Sequence, residues 1–186
     1  MDVSDLKKNA KLKIEGSPWL VVDFQFVKPG KGQGLYKCKL KNMLTGAVVD
    51  RTWRSGEKLE AADVESRGYS FLYEGADGYT FMDKETYEQV DLAAEMVGDD
   101  KYFLMDQLPV DILFYEGRAV GVTLPSHVVM EVTECEPGVK GDTATGATKG
   151  AKVGTGLEVQ VPLFLKLGDK IKIDTRTASY VERVNE

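Results

Sequence analysis

The chain has 186 residues, 42% hydrophobic and 29% charged, enough for packed cores and too even in composition to be wholly disordered. Its two cysteines, Cys38 and Cys135, lie in separate stretches without a second ligand at metal spacing, so reduced thiols are expected and neither a disulfide framework nor a metal site is. Met1 to Asp5 begins acidic with no apolar stretch behind a basic head, and no long uncharged apolar run follows, so no signal peptide and no membrane partner are expected, and the protein is expected in the cytoplasm.

A net charge of −6 would argue against a nucleic-acid partner if it were evenly spread. It is not. Residues 1–64 carry 12 Lys/Arg against 8 Asp/Glu, residues 65–126 carry 4 against 13, and residues 127–186 carry 8 against 9. The first third is therefore suited to face a polyanion, while the middle third is held away from it or keeps the protein soluble.

In chain order, Leu12 to Ile14 predicts a short strand, and Glu15-Gly16-Ser17-Pro18 a turn into a hairpin. Leu20, Val22, Phe24 and Phe26 recur at every second position, as do Tyr36, Cys38 and Leu40, the period of strands with one buried face. Cys38 falls in that buried phase. Lys37, Lys39 and Lys41 take the opposite phase and form a row of ammonium groups. Between the strands stands Lys28-Pro29-Gly30-Lys31-Gly32-Gln33-Gly34. Pro29 cannot donate to a ladder and the glycines accept angles other residues avoid, so pairing should stop near Lys28 and resume near Leu35, leaving Lys31 exposed at the tip. Ten residues from Trp19 to Lys28 span about 33 Å as strand, against about 28 Å for a compact domain of that size, so the hairpin should protrude.

Val48 to Trp53 predicts another strand, and a polar connector from Gly56 to Arg67 leads to strands at Tyr69–Tyr73 and Tyr79–Asp83. Asp91 is placed to cap a short helix through Val97, ended by Gly98, with another turn or two over Tyr102 to Gln107. Val110–Tyr115 and Ala119–Leu124 read as a hairpin, and Pro125 marks the boundary before a strand from His127 to Thr133. The Gly/Thr/Lys-rich stretch from Pro137 through Gly156 reads as a long loop. Pro162 marks an edge or bulge, and Lys170–Asp174 with Tyr180–Arg183 make a last hairpin. The expectation is all-β, as three small β modules over 1–64, 65–126 and 127–186.

No catalytic constellation accompanies them. Gly30, Gly32 and Gly34 are spaced GxGxG between strands, matching neither a phosphate loop nor a dinucleotide fingerprint. His127 is the only histidine and has no evident nucleophile partner; the acidic residues, Asp99-Asp100 included, form no Ca²⁺ loop. Neither an enzyme nor a cofactor is expected.

Phe26-Val27-Lys28-Pro29-Gly30-Lys31-Gly32-Gln33, Lys39-Leu40-Lys41-Asn42 and Leu44-Thr45-Gly46 resemble the signature of bacterial elongation factor P, a family related to the hypusine-containing factor of eukaryotes and archaea. Phe81-Met82-Asp83, Thr86-Tyr87-Glu88-Gln89, Glu136 to Ala144, Val161-Pro162-Leu163-Phe164 and Asp174-Thr175-Arg176 through Arg183 continue the likeness in register over nearly the whole chain. The resemblance implies a KOW-like (SH3-like) barrel followed by two OB-fold barrels in an elongated, tRNA-like shape.

It also implies a monomeric, non-enzymatic translation factor that binds the ribosome between the peptidyl and exit sites, contacts ribosomal RNA and peptidyl-tRNA, and relieves stalling at consecutive prolines. Lys31 would reach toward the CCA end of the peptidyl-tRNA after extension by a lysine-modifying enzyme; β-lysyl, aminopentanol-type and unmodified forms are all compatible with the loop. Pro29, Gly30, Gly32 and Gln33 form its tip, and Lys28, Lys37, Lys39 and Lys41 are candidates for acceptor-stem phosphates. Gly141-Asp142-Thr143 maps to the family's small-subunit loop, and Tyr180 and Arg183 to its anticodon-end pair. Gly34 stands where many members carry alanine, a departure expected to loosen the loop and to bear on recognition by a modifying enzyme. A paralogous translation factor and a general single-stranded RNA-binding OB protein stay open as alternatives.

Overall fold

The computed structural model describes residues 1–138 and 146–185. Three five-stranded antiparallel sheets follow one another along the chain. The first contains β1 (Lys11–Ile14), β2 (Ser17–Val27), β3 (Leu35–Asn42), β4 (Val48–Arg54) and β5 (Glu60–Ala61), ordered β4-β3-β2-β1-β5. The second contains β6 (Glu65–Glu74), β7 (Gly78–Asp83), β8 (Gln89–Ala93), β9 (Pro109–Tyr115) and β10 (Arg118–Thr123), ordered β10-β9-β6-β7-β8. The third contains β11 (His127–Cys135), β12 (Thr148–Val153), β13 (Glu158–Pro162), β14 (Lys170–Asp174) and β15 (Ser179–Val184), ordered β13-β12-β11-β14-β15. Counted within each module, the second and third share one topology: the first strand is central, with fifth and fourth to one side and second and third to the other. In both, the third and fifth strands lie beside each other, so each sheet curls toward a barrel of the five-stranded OB type.

The first module has its own apolar interior, with Val3, Leu12, Val21, Cys38, Leu40 and Trp53 buried, whereas Phe71, Phe81, Leu92, Ile112 and Phe114 of the second and Val132, Val153, Leu165, Ile171 and Ile173 of the third belong to one continuous cluster. A separate cluster of Met43, Leu113, Tyr115 and Val120, with Leu20 against it, joins the first two modules, and the Tyr115 hydroxyl donates to the Gly16 carbonyl at 3.4 Å. The third is tied to the second where the Thr155 hydroxyl donates to the Tyr102 carbonyl. The accessible surface of 11400 Å² exceeds the roughly 8,800 Å² expected of a compact chain of this mass, in keeping with modules set in series.

Several expectations need correction. Val22 sits in a bulge between Val21↔Leu40 and Asp23↔Lys39, which switches the parity of β2. Trp19 and Val21 face the core below it and Phe24 and Phe26 continue that phase above it, whereas Leu20 faces the second module and Phe24 and Phe26 are 36% and 48% exposed. Asp91 caps no helix: it lies in β8 opposite Thr80, whose hydroxyl donates to it at 2.6 Å. The helix shrinks to α1 (Ala94–Val97), stopped by Gly98 at φ +56 as its sequence predicts, and a 3-10 turn over Gly98–Phe103 ends before Gln107. β6 begins at Glu65, inside the expected connector, and β12 lies inside the expected long loop. Partner strands supply the pairing that these segments' own residues do not advertise.

Candidate nucleic-acid interface at the hairpin tip

The β2–β3 ladder runs to Val27↔Leu35, and Lys28 to Gly34 forms the connection, as Pro29 dictates. β1 accompanies β2 only over Ser17–Leu20, so from Val22 outward β2 has β3 as its sole neighbour. Those six residues carry the tip about 20 Å beyond the end of β1, on a ribbon in which β4 stays paired to β3 out to Leu35↔Arg54. Along this ribbon's apolar phase Cys38 and Trp53 are buried and Tyr36 packs against the first core, whereas Phe24 and Phe26, on β2 beyond the end of β1, stay exposed. The Phe26 ring instead meets that of Tyr36 at 4.8 Å.

Lys28, Pro29, Gly30, Lys31, Gly32 and Gln33 are all exposed, and Lys31 makes no hydrogen bond or ion pair with any described residue. The glycines work differently from expectation. None of Gly30, Gly32 and Gly34 has a positive φ, and a Cβ at Gly30 or Gly32 would meet nothing closer than 3.7 Å. They keep the tip thin without supplying an unusual turn. Gly34 is not a loose point either: it is buried, and its carbonyl accepts the Ser55 backbone N–H at 2.8 Å and the Ser55 hydroxyl at 3.1 Å. Residue spacing could not reveal that contact, because Ser55 lies 21 residues away.

The lysine row of β3 forms, but its members stand in different fields. Lys37 is exposed between Gln25 and Thr52, and Lys39 is exposed between Asp23 and Asp50. Lys41 is half-buried between Leu20 and Val48 at the junction with the second module. There the Asp100 carboxyl is pushed up by burial, and the charge of Lys41 acts to bring it back down.

At the other end, Tyr180 and Arg183 are three residues apart, yet a bulge at Val181 puts them on one face, opposite Ile173 and Ile171. Tyr180 is half-buried against the core, and the Arg183 guanidinium lies 5.6 Å from the centre of the exposed Phe164 ring. Gly141, Asp142 and Thr143 lie outside the described residues.

Among the described residues the geometry assembles no catalytic centre. His127 has Ser126 Oγ 3.0 Å from Nδ1 and Asp174 Oδ2 3.8 Å from Nε2, but Asp174 is held by Arg176 through both carboxylate oxygens. The imidazole is thus not oriented as a base would need to be. A hollow of about 630 Å³ lies in the third module among Glu134, Glu136, Lys152 and Glu158, with Lys152 paired to Glu134 and Glu158. Among the described residues no group of acidic, His or Cys side chains could hold a metal ion, and no helix is long and apolar enough to cross a membrane.

Three family models match in series: "Elongation factor P (EF-P) KOW-like domain" over residues 2–59, "Elongation factor P (EF-P) OB domain" over 64–122 and "Elongation factor P, C-terminal" over 128–183. With the strand topology above, they define a translation factor built from a KOW-like module and OB-type modules, a class that works without a catalytic site. Elongation factor P of Desulfotalea psychrophila is 50% identical over 186 residues, covering 100% of both chains, and that of Syntrophus aciditrophicus is 49% identical over 181 residues, covering 97% of both. The chain belongs to the elongation factor P family. Among solved structures, eukaryotic translation initiation factor 5A from Methanococcus jannaschii aligns with a TM-score of 0.47 at 23% identity, covering 67% of this chain and 90% of that one.

Proposed function

We propose that this chain binds the ribosome between the peptidyl and exit sites, beside the peptidyl-tRNA, and stimulates peptide-bond formation where consecutive prolines stall synthesis. The observation that carries this reading is the isolation of Lys31: an ammonium without a partner among the described residues, on thin backbone at the end of the β2-β3-β4 ribbon, on the one basic module of an acidic chain. Proline's ring restricts the geometry of its nitrogen, so the stalled centre lacks alignment more than it lacks a reacting group. A positive charge delivered into a narrow RNA cleft supplies alignment and electrostatic stabilisation, and the ribosome keeps the chemistry.

On this reading Lys31 faces the CCA end, after extension by a lysine-modifying enzyme, with Pro29, Gly30, Gly32 and Gln33 as the tip that both partners recognise. Lys28, Lys37, Lys39 and Lys41 meet acceptor-stem or ribosomal RNA phosphates. Tyr180 and Arg183, with Gly141, Asp142 and Thr143, serve the anticodon and small-subunit end. The chain acts in the cytoplasm as a monomer, its working units being residues 1–64, 65–126 and 127–186.

Lys31→Ala should leave thermal unfolding unchanged and abolish rescue of a reporter containing consecutive prolines. Wild-type rescue by that variant would overturn the proposal. Intact-protein mass measurement of the chain purified from its native host, compared with Lys31→Arg, identifies any group carried on the lysine.

A further inference from the structure

Past Val21, β2 has only β3 beside it; β4 stays paired to β3 out to Leu35↔Arg54, and beyond that the connection from Lys28 to Gly34, which carries Lys31, has no ladder of its own. One contact nevertheless fixes the point at which the tip leaves the sheet. The Gly34 carbonyl accepts two hydrogen bonds from a single residue, Ser55, at 2.8 Å from its N–H and 3.1 Å from its hydroxyl. Gly34 is also closed in from the other side. A Cβ there would stand 2.4 Å from the Phe26 ring and 2.8 Å from Ser55 Oγ, so ring and hydroxyl both reach the backbone only because no side chain intervenes.

Ser55 is itself braced. It opens the turn after β4, where the Glu57 N–H donates to the Arg54 carbonyl at 3.2 Å and the Glu57 carboxylate accepts the Arg54 N–H at 2.9 Å. The Glu57 carbonyl then accepts the N–H of Val3, a fully buried residue, at 3.0 Å, and the Lys58 backbone forms an isolated β-bridge with that of Asp2. Hydrogen bonds thus run from the module's interior through the 54–57 turn to Gly34, three residues from Lys31.

We propose that Ser55 is a positioning residue for Lys31: with Gly34 and Phe26 it clamps the base of the tip and sets the direction in which the lysine is presented. The functional consequence rests on the reading of Lys31 given above. The clamp itself does not. Loops that must enter a narrow site gain when their orientation is set before binding, because the ordering cost is met within the free protein.

The test uses the full chain with Ser55→Ala, Ser55→Thr and Gly34→Ala, followed by ¹⁵N relaxation at residues 30–32, amide exchange at Ser55, and reporter rescue. Ser55→Ala removes one of two bonds to the carbonyl, so exchange at Ser55 should rise about fivefold, order parameters at Gly30, Lys31 and Gly32 should fall, and rescue should drop several-fold. Ribosome affinity and melting temperature should hold, because the phosphate-facing lysines and the core are untouched. Ser55→Thr, which keeps the hydroxyl, should restore both order and rescue. Gly34→Ala should displace both the Phe26 ring and the Ser55 hydroxyl, leaving the Ser55 N–H bond, and loosen the tip at least as much as Ser55→Ala. Unchanged order parameters in Ser55→Ala would overturn the clamp, whatever the reporter does. A disordered tip with full rescue would overturn Ser55 as a positioning residue for function, while the use of Lys31 is judged separately by Lys31→Ala in the same reporter.

Discussion

Arg176 holds Asp174 through both carboxylate oxygens, with Nε 3.2 Å from Oδ1 and Nη2 2.7 Å from Oδ2, and its own backbone N–H donates to Oδ1 at 2.8 Å. These bonds, helped by the charges of Arg176 and His127, bring the Asp174 carboxyl down to about 2. Asp174 ends β14 beside Thr175, whose N–H and hydroxyl donate to the carbonyls of Ser126 and Pro125 at the entrance to the third module. The folded value lies below the unfolded one of about 3.9, so the stabilisation is complete above that value and is lost as pH falls through about 2. Urea midpoints measured from pH 5 down to 2 should therefore drop more steeply for wild type than for Asp174→Asn. Parallel acid limbs would show that the carboxylate contributes nothing to folding.

The two thiols should separate cleanly. Cys38 is buried in the first core, and burial, with Asp23 adding to it, pushes its thiol up. Cys135 is half-buried with the Lys149 ammonium 3.9 Å from its sulfur. Because the thiolate is the reacting form, a disulfide reagent at pH 8 should modify Cys135 on the order of tenfold faster than Cys38. Peptide mapping after partial reaction reads the ratio; equal rates would mean that the first module opens readily under native conditions.

Gly78 and Gly68 make a matched pair for the second module. A Cβ on Gly78 would stand 2.1 Å from the Leu92 carbonyl oxygen, which is backbone of the adjoining strand and cannot swing aside, whereas one on Gly68 would meet nothing within 4 Å. Gly78→Ala should cost about 2 kcal/mol in chemical denaturation and Gly68→Ala close to none. Equal costs would mean that β7 and β8 separate to take in the methyl group.

Much of this architecture is legible in the residues, and the illegible parts have a common cause. The hairpin's limits follow from Pro29 and the flanking alternation, the stop at Gly98 from a glycine that takes a positive φ, and the edge position of β13 from Pro162. The parity switch in β2 hides in Leu20-Val21-Val22, where three apolar residues in a row fit either phase. Asp91 looks like a cap because caps are local, but its partner is Thr80 on the neighbouring strand. Thr148-Lys149-Gly150-Ala151-Lys152 has the composition of a loop and becomes a strand because β11 and β13 pair on either side of it. At the site, exposure of Lys31 could be foreseen from its neighbours. The Ser55 contact that directs it depends on how β4 ends, which no motif encodes.

The lysine row yields the sharpest division, since three residues of one type on one face differ in their surroundings. A lysine with no acid beside it keeps its full charge for RNA, whereas one flanked by carboxylates has part of its field cancelled before any phosphate arrives. Lys37, between Gln25 and Thr52, belongs to the first kind and Lys39, between Asp23 and Asp50, to the second. Lys41 is half-buried at the junction, where its charge acts on Asp100. In ribosome-binding titrations over a range of salt, Lys37→Ala should lower the slope of log K against log salt by about 0.7–0.9, the value for one released phosphate contact. Lys39→Ala should lower it by less than half as much, and Asp50→Asn should strengthen binding by freeing Lys39. Lys41→Ala should lower the slope least of the three and should also shift the melting profile of the first two modules. Equal slopes for the Lys37 and Lys39 variants would mean that the flanking carboxylates turn away on binding and that the whole row faces RNA.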